Sequence, residues 1–172
     1  MIRAYLAILM AAGSADAALA YLQDPLPVIE IRKADGRLVA RAMVWQGARG
    51  IEVRVQAAGL PAGHYGVHLH AVGRCQGPSF ASAGAHWNPT ARQHGSLNPA
   101  GHHLGDLPNL DVDEQGAGRL EFTIAGASTS GAQGFFDADG TSLVIHAAAD
   151  DYRTDPSGNS GARIACGVLR AS

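Results

Sequence analysis

The sequence predicts an all-β domain. Short apolar or alternating segments recur from residue 28 to the end, and glycine-rich stretches separate them. No segment carries a convincing 3.6-residue amphipathic period, and there is no internal repeat. The 22 glycines supply turns, and the spacing yields about eight short strands, which argues for a sandwich or barrel.

Residues 28–32 are the first strand, followed by the turn chemistry of Ala34-Asp35-Gly36. Residues 38–45 are the second, closed by a turn over 47–50. Ile51-Glu52-Val53-Arg54-Val55 alternates strictly, as a strand with one buried face does. Gly59-Leu60-Pro61-Ala62-Gly63 breaks the chain before the fourth strand, Gly66-Val67-His68-Leu69-His70. Residues 71–107 then lose periodicity and fill with Gly, Pro, Ser, Asn and His. So long a loop in one domain is functional or disordered, and a bound metal gives it a reason to be ordered. Strand patterns return at 110–112, 119–124, 143–146 and 164–169, with a turn over 113–118 and a second polar loop over 148–162.

A chain of 172 residues is long enough for one domain with a sizeable core. A net charge of -2 without a basic run excludes nucleic acid as a partner. Residues 1–20 carry the pattern of a secretory signal: Arg3, an apolar run over 5–12, and small residues suiting cleavage after Ala17 or Ala20. A buried N-terminal helix is the alternative. The expected domain is residues 21–172, with no membrane span in the mature chain. Cys75 and Cys166, 91 positions apart, read as one disulfide in an exported protein. Closing that loop stabilises by roughly 4–5 kcal/mol in the chain-entropy model. Two free thiols are the alternative.

Histidine carries the chemistry. His68 and His70 sit two residues apart, so in a strand both face one side while Val67 and Leu69 pack on the other. Alone, this pair also suits two surface histidines. Four more of the 8 histidines, His86, His94, His102 and His103, lie in the long loop, and His146 ends a strand. Neutral imidazole suits copper and zinc, and a carboxylate can complete a zinc tetrahedron.

These segments together resemble the copper/zinc superoxide dismutases of the bacterial, exported type. The resemblance runs from about residue 27 to 170. It is carried by G-V-H-L-H at 66–70, S-A-G-A-H-W-N-P at 82–89, H-G at 94–95 and H-L-G-D-L at 103–107. The segments around His146 and Asp150, and G-N-S-G-A-R-I-A-C-G-V at 158–168, complete it. It implies an eight-stranded antiparallel Greek-key barrel or sandwich with two long functional loops. It implies that His68, His70 and His146 bind copper only, and that His86 bridges copper and zinc. It gives His94, His103 and Asp106 as the other zinc ligands. Asp150 is then the carboxylate that hydrogen-bonds one ligand of each metal. Arg163 stands beside the open copper position, and Cys75 pairs with Cys166.

The implied reaction is dismutation of superoxide to dioxygen and hydrogen peroxide, an antioxidant activity in the cell envelope. A metal that cycles between oxidation states is required, and zinc does not cycle. The substrate is a small anion, so a fixed cation speeds its capture, and Arg163 stays charged at any working pH. His86 is expected to be both ligand and proton carrier. The implied location is the periplasm, and monomer and homodimer both remain open. His103, rather than His102, has the spacing to Asp106 for zinc. His102 and His64 are expected to be solvated or structural, and Trp87 to be core. The lysine-bearing loop of eukaryotic relatives has no counterpart, since residues 147–162 contain no lysine. That leaves Arg74, Arg92 and Arg153 as the other candidate cations.

Overall fold

A computed structural model of the protein describes residues 28–131 and 134–169. The expected signal segment, residues 1–20, lies outside the described residues. The described strands all pair antiparallel, and the described helical structure is one 3-10 turn at Ala81–Ala83.

Among the described residues nine strands form one sheet: β1 Ile29–Arg32, β2 Leu38–Gln46, β3 Gly50–Ala58, β4 Gly63–Tyr65, β5 Val67–His70, β6 Leu110–Val112, β7 Ala117–Ala125, β8 Thr141–His146 and β9 Arg163–Leu169. The extra strand over the expected eight has a local cause. The fourth expected strand begins earlier, at Gly63, and is split at Gly66. Its first half pairs with β6 and its second half with β8. Gly66 leaves the ladder to bond the segment around β8 instead: its N–H donates to Ala148 O at 2.8 Å, and its carbonyl accepts from His146 N at 2.8 Å. The strand order is β4-β6-β7-β3-β2-β1-β9-β8-β5, so the two ends of the sheet are neighbours along the chain. One switched strand thereby nearly closes the barrel, and the long loop bridges the β5 edge at His68–Asp106 and His70–His86.

The alternation read in β3 holds: Ile51, Val53 and Val55 are buried, and Glu52 and Arg54 are half-exposed. They join Ile31, Val44, Leu69, Leu143 and Ile145 in the barrel core. Trp87 belongs to that core too, meeting Phe135 edge-on with ring centroids 5.5 Å apart. β8 is buried along its whole length because both faces are covered. Leu143 and Ile145 face the barrel core, while Val144 packs under the long loop with Phe80, Ala83 and the Cys75–Cys166 disulfide.

The outer face of β5 and β8 therefore carries the site. His68 pairs with Val144 and His70 with Ser142, so these residues and His146 share one side. His146 pairs in turn with Arg163 on β9. The loop over 71–107 is stitched to this wall by backbone hydrogen bonds. Trp87 N donates to Leu69 O at 2.8 Å, and Leu69 N to Gly105 O at 2.9 Å. A Cβ at Gly105 would lie 2.5 Å from Leu69 O, so only glycine lets the loop's return pass come this close. Part of the loop's order is thus built into its backbone pairing.

Candidate metal centre

Two overlapping groups of buried side chains occupy the wall. Ligand atoms of His68, His70, His86 and His146 fall within 4.8 Å of one another. So do those of His68, His86, His94 and Asp106. His103 adjoins the second group, its Nδ1 lying 3.0 Å from Asp106 Oδ1 and 3.3 Å from His86 Nδ1. His86 belongs to both groups. β5 supplies His68 and His70, the end of β8 supplies His146, and the long loop supplies the rest.

Each outward histidine is held by one ring nitrogen. His70 Nδ1 bonds Gly84 O at 2.9 Å, and His146 Nδ1 bonds Gly161 O at 3.1 Å. His68 Nε2 donates to Asp150 Oδ2 at 2.9 Å, and His94 Nε2 to Asp150 Oδ1 at 3.0 Å. Asp150 therefore links the two groups. The other nitrogens, His68 Nδ1, His70 Nε2, His86 Nε2, His94 Nδ1 and His146 Nε2, are buried without a hydrogen-bond partner. A buried unpaired polar atom costs about 1–3 kcal/mol, so five in one place are a heavy penalty. Metal ligation removes it, because a neutral imidazole offers each of these atoms as a lone pair, and at His94 the metal takes the place of a proton. His94 Nδ1 lies 3.0 Å from Asp106 Oδ1 without the alignment of a hydrogen bond, as two ligand atoms around one cation do. The residues present fit copper and zinc.

Electrostatics agree. In the metal-free chain, burial holds His70 at about 2, His86 at about 4 and His146 at about 3, and it lowers His68 as well. These rings are neutral, the form that ligates. His94 is the exception: burial opposes its charge, but the Asp106 and Asp150 carboxylates prevail and raise it to about 9. A proton on His94 thus supplies the positive charge that a divalent cation would otherwise bring to these carboxylates. Burial favours protonating Asp106, yet hydrogen bonds with His103, His86 and the Gly95 N–H, and the nearby His94 ring, hold it well below the ordinary carboxylate range.

Arg163 lines an open cleft beside His86 and His146, together with Arg92, Asn88 and Asp155. Its guanidinium donates to Phe80 O at 2.8 Å and to Gly84 O at 2.7 Å. Arg74 and Arg153 do not line this cleft. His102 is exposed, and His64 is an exposed β4 residue bonded to Asp111, away from both groups. The sequence reading missed three supports. Asn109 clamps the Asp150 backbone in both directions, donating to its carbonyl at 3.0 Å and accepting its N–H at 2.8 Å. Tyr152 N donates to Asp150 Oδ1 at 2.7 Å, and Asp155 accepts the His94 N–H at 2.6 Å. None lies in a metal-ligand pattern; only the carboxylate in the polar loop hinted at Asp155.

Fold and side chains together define a β-barrel metalloprotein with two adjoining histidine-rich metal-binding groups on its outer wall. Comparison with known proteins makes this specific. Residues 39–169 match the copper/zinc superoxide dismutase family. Superoxide dismutase (Cu-Zn) 2 of Aquifex aeolicus is 37% identical over 153 residues, covering 87% of this chain and 90% of its own. The copper-zinc superoxide dismutase of Caulobacter vibrioides is 39% identical over 144 residues, covering 81% and 83%. The crystal structure of a superoxide dismutase-like protein from Bacillus subtilis superposes with a TM-score of 0.78 at 38% identity, covering 83% of this chain and 97% of that one. The chain belongs to the copper/zinc superoxide dismutase family. It is an oxidoreductase that uses copper and zinc to convert superoxide to dioxygen and hydrogen peroxide.

Proposed function

We propose that His68 Nδ1, His70 Nε2, His86 Nε2 and His146 Nε2 hold the copper, and that His86 Nδ1, His94 Nδ1, His103 Nδ1 and Asp106 Oδ1 hold the zinc. The five unpartnered buried nitrogens carry this reading, since four of them are the copper set and the fifth belongs to the zinc set. His68 lies within reach of both groups, but its Nε2 is taken by Asp150, which leaves one nitrogen to give. With His68 on the copper side, His103 completes the zinc set through its contact with Asp106 Oδ1.

When bound, copper supplies one-electron oxidation and reduction, and zinc supplies fixed positive charge without redox chemistry. The chain's own residues do the rest. Arg163, pinned to two carbonyls, presents a fixed cation where a small anion enters the cleft. His86 has no backbone anchor of the kind that holds His70 and His146. Its Nδ1 faces Asp106 Oδ1 at 2.8 Å and its Nε2 is free of protein partners. His86 Nε2 would thus serve either as a copper ligand or as the holder of a proton, while Nδ1 keeps the ring in place. That proton, a second from solvent through the open cleft and one electron, which bound copper would supply, balance the reduction of superoxide to hydrogen peroxide. Asp150 keeps the His68 and His94 rings oriented with their Nδ1 atoms unprotonated.

We also propose that residues 1–20 direct export to the periplasm and that the mature domain is 21–172. The signal-like sequence supports this, as does the Cys75–Cys166 disulfide, a bond of oxidising compartments. Metal analysis of the purified protein tests the site. One copper and one zinc per chain are expected, and either metal alone overturns the assignment.

A further inference from the structure

Asp150 bonds His68 with one carboxylate oxygen and His94 with the other, and something must hold it between them. The loop that follows it, residues 151–161, is mostly exposed, yet Gly158 within it is buried. A Cβ added to Gly158 would collide with Asp150 Oδ1 and come within 2.6 Å of Asp150 Cγ and 2.7 Å of His94 Nε2. The bare Cα of Gly158 therefore rests directly against the Asp150–His94 hydrogen bond. Gly158 also has φ +62°, a left-handed conformation that glycine adopts without cost.

The loop is wound to keep Gly158 there. The Asp151 carboxylate accepts from Arg153 N at 2.9 Å, Thr154 N at 2.8 Å, Thr154 Oγ1 at 2.6 Å and Asn159 Nδ2 at 2.9 Å. Asp151 N donates to Gly158 O at 2.9 Å, and Gly158 N to Thr154 O at 2.6 Å. Both backbone groups of Gly158 are thus tied to the turn that Asp151 organises.

We propose that Gly158, held by Asp151, is a positioning residue that fixes the Asp150 carboxylate against His94 and so sets the zinc affinity of the site. It acts as a backstop: it leaves the carboxylate one position and covers the Asp150–His94 bond from water. The inference rests on the zinc assignment made above.

Titration of the metal-free full-length chain with zinc alone tests it, with cobalt(II) as a coloured probe of the same site. Gly158→Ala is expected to weaken zinc by about 10- to 100-fold, the usual loss when a group behind a metal ligand is disturbed. Its cobalt spectrum is expected to shift as His94 moves. Gly36→Ala separates collision from backbone strain. Gly36, in the turn between β1 and β2, has φ +85°, and an added Cβ there meets nothing within 4 Å. It is expected to keep the parent's zinc affinity and spectrum. Gly158→Ala binding zinc like the parent, or Gly36→Ala losing as much, overturns the proposal. Should Gly158→Ala not fold by circular dichroism, Asp151→Ala decides: it loosens the turn without a collision. Weaker zinc supports the proposal, and unchanged zinc defeats it. A parent chain that takes up no zinc overturns the metal assignment itself, and the proposal with it.

Discussion

The carbonyl oxygen of Gly84 accepts a hydrogen bond from Arg163 Nη2 at 2.7 Å, which ties a cation of β9 to the loop bearing His86. The same oxygen lies 2.9 Å from His70 Nδ1, so one carbonyl aligns both a histidine of the first group and the Arg163 guanidinium of the cleft. Arg163→Glu keeps neither the charge nor these donors. Its kcat/KM is expected to fall at least about 10-fold, within the range attributed to electrostatic guidance of a charged ligand. Added salt, which slows the parent by screening, should slow the variant less or speed it. Arg163 belongs to neither metal group, so both metals are expected to stay bound. Pulse radiolysis at several ionic strengths measures the rate, and an unchanged rate and salt slope remove Arg163 from anion guidance.

His146 stands beside Arg163 at the end of β8, its Nδ1 on Gly161 O and its Nε2 unpartnered. It shares no contact with Asp106, so His146→Ala takes a ligand from the copper group alone. Activity is expected to drop more than about 100-fold, since even groups behind a ligand cost 10- to 100-fold when lost. The folded variant is expected to bind zinc normally. Zinc analysis and a superoxide assay on the same sample check both halves, and substantial activity places His146 outside the copper site.

What was legible in the sequence depended on where each contact comes from. β3 and β5 announce themselves because side chains alternate along a strand, so Val53 and Leu69 had to face the core. The facing of His68 and His70 followed from the same rule. Gly66 hid the switch of partners that makes nine strands of eight, because the pairing of β4 with β6 depends on residues far along the chain. The path of the long loop was hidden for the same reason: Leu69, Trp87 and Gly105 are joined by backbone hydrogen bonds, which carry no side-chain signal. Gly84 O and Gly161 O could not be singled out either, since every residue carries a carbonyl. Asn109 was invisible as a clamp because an asparagine before a strand reads equally well as turn chemistry.

Arg92 is the cation that the fold brings to the cleft mouth beside Arg163, whereas Arg74 does not line it. Asn88 holds the Arg92 backbone from both sides, accepting its N–H at 3.0 Å and donating to its carbonyl at 2.8 Å. Arg92 and Asp155 thus set the local charge around the entry. Arg92→Glu and Arg74→Glu change net charge equally, so a rate that depends on total charge responds to both alike. Focusing by the cleft predicts otherwise: a fall of about 3-fold or more for Arg92→Glu, with a flatter salt dependence, and little change for Arg74→Glu. Equal responses from the two variants would refute a role for the cleft cation.

Removal of both metals should leave a protein whose stability falls as the medium turns acid. Burial holds folded His70, His86 and His146 at about 2, 4 and 3, below the ordinary imidazole value of 6.5. Below pH 6.5 the unfolded chain therefore takes up protons that the folded chain refuses. Stability drains away as pH falls from 6.5 toward that range. His94 works the other way. Its folded value of about 9 contributes stability fully present below 6.5 and lost as pH rises through 9, so it adds no slope on the acid side. The metal-free chain is expected to lose on the order of 1 kcal/mol or more per pH unit between pH 6 and 4, seen as a falling urea midpoint. Bound metal occupies the same nitrogens and competes with protons, so the loaded protein should hold its midpoint until acid releases the metals. A metal-free protein with a flat urea midpoint from pH 6.5 to 4 would mean that these imidazoles are not buried neutral.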